Sequence, residues 1–251
     1  MAELNHNLSA MILAAGLGTR MRPYNREVPK ALVKLAGRPL VHFPLMWLRH
    51  FGIHEVVLNS HYMAEALENK LGEGHALGMK IRYSREQELQ GTGGGLALAA
   101  HRYGMGRTLL TNADTVTDLD LLAMLDSHLK SGASATMAVV PKPEGSRYTT
   151  LLSDGGFVKK IGDRPQVIKG QGSMSEVVFA GVSILEPAVI DRLPHDRPAC
   201  LVKDGIIPAM ESGEKIGAYL HRGYWKAIDD EARLKEAEAD IEDGVFGPLG
   251  M

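Results

Sequence analysis

Between Leu8 and Pro141 short apolar runs alternate with segments of helical period, and this rhythm limits the chain to few architectures. Strands are expected over 8–16, 55–60, 80–84, 107–114 and 133–141, and helices over 39–53, 63–74, 94–103 and 118–132. Gly52 and Gly132 are natural helix stops, and acidic residues open the last of these helices. Such alternation builds βαβ units, and βαβ units build a mainly parallel sheet flanked by helices. The rhythm changes after Pro141. Runs at 148–152, 156–161 and 177–185 are β-rich with turn residues between them, which suggests antiparallel additions. Helices over 186–193 and 201–213, a strand over 215–223 and a charge-paired helix over 230–244 complete the pattern. With 251 residues and no repeat or long linker, a single α/β domain is expected. Its first half would run over about 8–140 and its second over about 141–230, followed by a helix and tail over 231–251.

The net charge of −2 offers no general case for nucleic acid or a membrane surface as partner. Positive charge is nevertheless concentrated in one place. Arg20, Arg22, Arg26, Lys30, Lys34 and Arg38 stand against the single acid Glu27 between Met11 and Leu40. Cys200 is the only cysteine, so neither an intramolecular disulfide nor a cysteine zinc cluster is available. The start of the chain lacks a basic region followed by a cleavable apolar stretch, and no apolar run approaches the ~18 residues of a membrane span. A cytoplasmic protein is expected.

Gly16-Leu17-Gly18 follows the first strand directly. Glycines there let the backbone approach a ligand and turn N–H groups toward phosphate oxygens, although a plain structural turn would look the same. The dinucleotide fingerprint fails, because its third glycine position is Met21, and a Walker A loop fails for want of Gly-Lys-Ser/Thr. What favours phosphate is the company of Arg20, a planar fork, and Lys30, a point charge behind the rigid Pro29. A second glycine cluster, Gly91-Thr92-Gly93-Gly94, can hug a flat base or simply open a helix. Asp114 closes an apolar strand, where α/β sheets bind ligands. It could hold Mg²⁺ or serve as a turn or cap residue.

The stretches LAAGLGTRMRP (Leu13–Pro23) and PKAL (Pro29–Leu32) resemble the signature of sugar-1-phosphate nucleotidylyltransferases. The segment Glu55–Ala97 is similar to the matching region of N-acetylmuramate 1-phosphate uridylyltransferases and mannose-1-phosphate guanylyltransferases. The resemblance implies a Rossmann-like, glycosyltransferase-A-like nucleotidyltransferase fold. It implies Mg²⁺-dependent transfer of a nucleotidyl group from a nucleoside triphosphate to a sugar 1-phosphate, with release of pyrophosphate. It assigns catalysis to Arg20, Lys30 and Asp114. Nucleotide binding falls to Leu13, Ala14, Ala15, Gly16, Gly18, Thr19, Asn59, Gly91, Thr92, Gly93 and Gly94, and sugar-phosphate binding to Asp163, Arg164 and Gly181. UTP with N-acetylmuramate 1-phosphate or a similar hexose 1-phosphate is the favoured pair, and GTP with mannose or heptose 1-phosphate the next.

Four departures from the family pattern stand out. Gly91 replaces an acid, Ala113 replaces a glycine, and Asp163-Arg164 replaces the Glu-Lys pair of an E-K-P element, with Arg164 in the place of the lysine. Most notably, WKAIDD (Trp225–Asp230) stands where relatives carry W-x-D, so Ala227 occupies the place of a second metal carboxylate. Asp229, or failing it Asp230, is the expected substitute. Two residues of extended chain span about 6.6 Å, so the local strand would have to shift or bulge. A relative that binds nucleotide without turnover is the alternative.

Overall fold

The computed structural model describes residues 8–163 and 174–247. Its first half contains β1 (Ser9–Leu13), β2 (Lys34–Leu35), β3 (Arg38–Pro39), α1 (His42–His50), β4 (Glu55–Ser60), α2 (Ala64–Leu71), β5 (Lys80–Arg85), α3 (Gly91–Tyr103), β6 (Thr108–Asn112), β7 (Thr115–Thr117), α4 (Leu121–Ser131) and β8 (Ala135–Pro141). Then come β9 (Thr150–Asp154), β10 (Phe157–Ile161), β11 (Ser175–Leu185), α5 (Pro187–Ile190), α6 (Ile207–Glu211), β12 (Ile216–Leu220), β13 (Trp225–Ala227) and α7 (Glu231–Glu242).

A nine-stranded sheet in the order β5-β4-β1-β6-β11-β8-β12-β10-β9 forms the centre. The first four strands are all parallel. Beyond them β11 runs antiparallel to both β6 and β8, β12 returns parallel to β8, and β10 and β9 follow antiparallel, with β9 also pairing back onto the start of β11. Parallel pairing thus covers the β5–β6 block and the β8–β12 pair, and the antiparallel additions expected after Pro141 are β9, β10 and β11.

Burial on both faces explains the continuous apolar runs of the parallel strands. Successive strand residues point to opposite faces. Ile12, Leu58 and Leu109 accordingly pack with Leu45, Trp47, Leu48, Leu67 and Met124 of α1, α2 and α4. Met11, Val57 and Leu110 pack on the other side with Leu96, Ala97 and Ala100 of α3 and with Leu201 and Ile206. A third cluster joins Met21, Val33, Leu35 and Leu40 to Val116, Ile228 and Leu234. It pins the basic loop to the small β7–β13 ribbon and to α7.

The segment 201–213, expected as one helix, is a π-helical turn over Leu201–Ile206 leading into the five-residue α6. Pro208 near the start of α6 removes a donor from the helical ladder there. Among the described residues no helix is long and apolar enough to cross a membrane.

Candidate active site

The chain leaves β1 for β4 and β5 on one side, and later returns to β6 on the other. The order therefore reverses between β1 and β6, and open α/β sheets bind ligands at the carboxyl ends of strands at such a point. Leu13 and Asn112 are the last residues of these two strands, and Ala113 N–H donates to Leu13 C=O at 3.0 Å. A cavity of about 430 Å³ opens above them.

The loop after β1 supplies Leu13, Ala14, Ala15, Gly16, Gly18, Thr19 and Arg20 to its wall. Gly18 has φ +61°, and a Cβ there would lie 2.7 Å from Lys30 Cβ. Glycine thus serves both the left-handed backbone and the close approach of Lys30. The buried Asn25 donates to Gly18 C=O at 2.9 Å and holds the loop in shape. Pro29 introduces a single helical turn, Lys30–Leu32, that delivers Lys30 to the same cavity. Arg22, Arg26, Lys34 and Arg38 are exposed and do not line it.

Asn59, at the end of β4, accepts from Ala14 N–H at 2.6 Å and donates to the buried Glu86 at 2.7 Å. Glu86 in turn accepts from Gln90 N–H at 2.8 Å, just before α3. One buried chain of hydrogen bonds therefore sets the two glycine stretches relative to each other. Gly91 and Thr92 line the cavity, but Gly93 and Gly94 do not. Their N–H groups donate to Ala199 C=O at 2.9 and 3.2 Å. A Cβ on either would collide with residues 197–201. These two glycines seat the helix on a neighbouring segment.

Asp114 and Asp229 both face the cavity. Asp114 Oδ2 pairs with Lys30 Nζ, and Asp114 Oδ1 is buried without a hydrogen-bond partner among the described residues. Asp229 is 5% exposed, with Oδ2 2.9 Å from Arg20 Nη1 and Oδ1 2.8 Å from Arg147 Nη2. Its route into the site is a turn, not a bulge. β13 ends at Ala227, Ile228 N–H donates to Asp114 C=O at 2.9 Å, and Asp229 N–H turns back onto Ala227 C=O at 3.1 Å. Asp230 instead caps α7 by accepting from Arg233 N–H at 2.9 Å. That bond, with Arg147 alongside, holds the Asp230 carboxyl below the ordinary aspartate range.

The orphaned oxygen of Asp114 and the neighbouring Asp229 are hard oxygen donors of the kind Mg²⁺ takes. Among the described residues no group of three or more His, Cys, Asp or Glu is placed to hold a metal. The protein would thus contribute few ligands, which suits an ion that keeps waters and binds phosphate oxygens.

A second cavity of about 520 Å³ lies beside the first and shares Asn112 with it. Ala227, Asp163 and Gly181 line it, while Arg164 falls outside the described residues. Gly181 has φ +79° where the β11–β8 register shifts between Phe179 and Ser183. A Cβ there would meet Asn112 Nδ2 at 2.7 Å and Thr115 Oγ1 at 2.9 Å. The room left by the missing side chain is therefore filled by Asn112 and Thr115. Met137, Leu151, Ile161, Phe179, Val202 and Trp225 make most of this cavity apolar.

Fold and site together describe an α/β protein whose first glycine loop, Arg20, Lys30, Asp114 and Asp229 meet in one cavity at a strand switch point. The sequence profile of the nucleotidyl transferase family matches residues 9–244, and the chain belongs to that family, among the sugar-1-phosphate nucleotidylyltransferases. It is 34% identical over 238 residues to N-acetylmuramate alpha-1-phosphate uridylyltransferase of Neisseria meningitidis serogroup B, covering 92% of this chain and 97% of that one. It is 28% identical over 246 residues to mannose-1-phosphate guanylyltransferase of Mycobacterium tuberculosis, covering 96% of this chain and 66% of that longer one. Among solved structures, HddC from Yersinia pseudotuberculosis complexed with GMP-PN is similar with a TM-score of 0.75 and 25% identity, over 93% of this chain and 99% of that one.

Proposed function

We propose that the protein transfers a uridylyl group from UTP to N-acetylmuramate 1-phosphate, or to a closely similar acylated hexose 1-phosphate. The observation that carries the proposal is the convergence of Arg20, Lys30, Asp114 and Asp229 on one cavity that shares Asn112 with a second, apolar one. On this reading the first half of the chain holds the nucleotide and the second half the sugar. A mostly apolar acceptor cavity suits an N-acetyl group better than one more bare hydroxyl, because a hydroxyl buried without a partner costs free energy, and the lactyl carboxylate of N-acetylmuramate would stay at the solvent-facing mouth. The near-full-length similarity to the Neisseria uridylyltransferase supports the same choice.

In the reaction an oxygen of the sugar phosphate attacks the α-phosphorus in line. The new P–O bond forms as the bond to the pyrophosphate leaving group breaks. Little covalent chemistry is asked of the protein, which contributes positioning and charge neutralisation. The Gly16–Thr19 backbone approaches the phosphates, and Arg20 and Lys30 offset the charge that gathers on the departing pyrophosphate. Asp114 and Asp229 would hold Mg²⁺, which supplies further neutralisation of the phosphates when bound. The test is a matrix of UTP and GTP against N-acetylmuramate, N-acetylglucosamine, mannose and heptose 1-phosphates, read by pyrophosphate release with Mg²⁺. Fastest release is expected for UTP with N-acetylmuramate 1-phosphate. A preference for GTP with mannose or heptose 1-phosphate would transfer the assignment to the guanylyltransferases, and no release from any pair would refute transferase activity.

A further inference from the structure

Asp229 is a buried carboxylate whose two oxygens are both held by guanidinium groups. The arginines are mainly exposed, with side chains 60% exposed for Arg20 and 51% for Arg147. Arg20 belongs to the basic loop already described. Arg147 does not. It sits between β8 and β9, directly before Tyr148 and Thr149, which line the second cavity. Its Nη2 alone bridges Asp229 Oδ1 and Asp230 Oδ2, each at 2.8 Å. A segment bordering the acceptor cavity is thereby tied across the molecule to a carboxylate of the donor cavity.

Structural support accounts for only part of this, because Arg20 alone already gives Asp229 a cation. Ion pairs made by exposed arginines contribute little to stability. Asp230 has its cap role from Arg233 N–H without Arg147. What Asp229 does need is a cation, because a buried carboxylate without one is costly. A guanidinium and a divalent cation satisfy that need in mutually exclusive ways, since each requires the same oxygens. The cavity beside it carries the one carboxylate oxygen, Asp114 Oδ1, that is buried and unpartnered among the described residues.

We propose that Arg147 is a positioning residue that occupies Asp229 in the place of a divalent cation, so that loading the metal site and releasing the 142–149 segment toward the acceptor cavity are one event. This rests on the metal reading of Asp114 and Asp229 given above. By linkage, a group that competes with the ion for Asp229 weakens ion binding, and its removal strengthens it.

The test is Mn²⁺ binding without substrates, read by electron paramagnetic resonance of the free ion and by calorimetry, for wild type, R147Q, R147K, D229N and the R147Q/D229N pair. Melting curves establish that each is folded. R147Q should bind Mn²⁺ about tenfold more tightly than wild type, the range expected for losing one charge-assisted competitor. R147K, which keeps the positive charge, should stay near wild type. In the D229N background R147Q should have no effect. Unchanged or weaker Mn²⁺ affinity in R147Q overturns the proposal. So does a tenfold gain that persists in D229N, because it would mean only that a nearby positive charge was removed. Absence of Mn²⁺ binding in every variant, with or without UTP, overturns the metal reading itself and Arg147's role with it.

Discussion

Replacing Asp114 by Asn keeps the side chain's size and removes its charge. The pair it breaks is partly buried, with Asp114 20% and Lys30 15% exposed. Exposed pairs are worth under about 1 kcal/mol, and breaking a buried one costs about 3–5 kcal/mol. The Asn carbonyl can still accept from Lys30, so the loss should fall at about 1–2 kcal/mol. For a chain of this length that lowers the melting temperature by about 2–8 °C. On the proposed reading catalysis should suffer more, because Asp114 would no longer offer Mg²⁺ the carboxylate that holds it beside the phosphates. At least about a hundredfold drop in turnover is expected. Lys30→Met should destabilise comparably, by leaving Asp114 without its cation. Combining the two changes removes the pair as a unit, so the stability losses should fall well short of additive while activity stays lost. Calorimetric melting and pyrophosphate release measure the two quantities separately. Turnover of Asp114→Asn within about threefold of wild type, or additive stability losses, would refute this account.

Asn59→Ala leaves both Ala14 N–H and the buried Glu86 short of a partner. It should cost about 2–4 kcal/mol, seen as a lower urea midpoint. Gly18→Ala places a Cβ 2.7 Å from Lys30 Cβ at a left-handed φ. It should cost about 1–2 kcal/mol of stability and weaken nucleotide binding, measured by calorimetry, by about tenfold or more. His128 is held below the ordinary imidazole range by burial, with Glu186 opposing that only in part. The unfolded chain therefore takes up a proton that the native state refuses, and stability is lost as pH falls below about 6.5. His128→Gln should flatten the decline in melting temperature between about pH 7 and pH 5, and an unchanged profile would place that acid sensitivity elsewhere.

Elements that carry their own physical signal were readable in advance. The EVVLNS strand lies at the expected residues, because an apolar β-branched run buried on both faces can hardly be anything else. α3 begins at Gly91, three residues before the expected start. Glycines weaken the local helix signal, and the bonds from Gly93 and Gly94 to Ala199 that compensate are long-range. The β7–β13 ribbon was illegible because three residues a strand show no periodicity. Asp229 was anticipated as a substitute, but the turn after Ala227 that brings it to the cavity depends on the Ile228–Asp114 backbone bond. Arg147 lies among turn residues, KPEGSRY, where a basic residue looks like ordinary surface. Its relation to Asp229 exists only in three dimensions.

The eleven-residue β11 answers to different neighbours along its length. Val182–Leu185 lie against β6, beside the first cavity, whereas Ser175–Val178 lie against β9, which folds back onto β11. Between them, at Gly181, the ladder to β8 loses register. The strand works as a beam with a joint. The β9–β10 hairpin hangs from one end and contributes Leu151 and Ile161 to the wall of the second cavity, yet it touches neither β1 nor β6 through the sheet. On the proposed reading, remodelling this hairpin would change the choice of acceptor while leaving the cavity at β1 and β6 untouched. The same modularity would make the hairpin the place to graft in order to exchange one sugar for another.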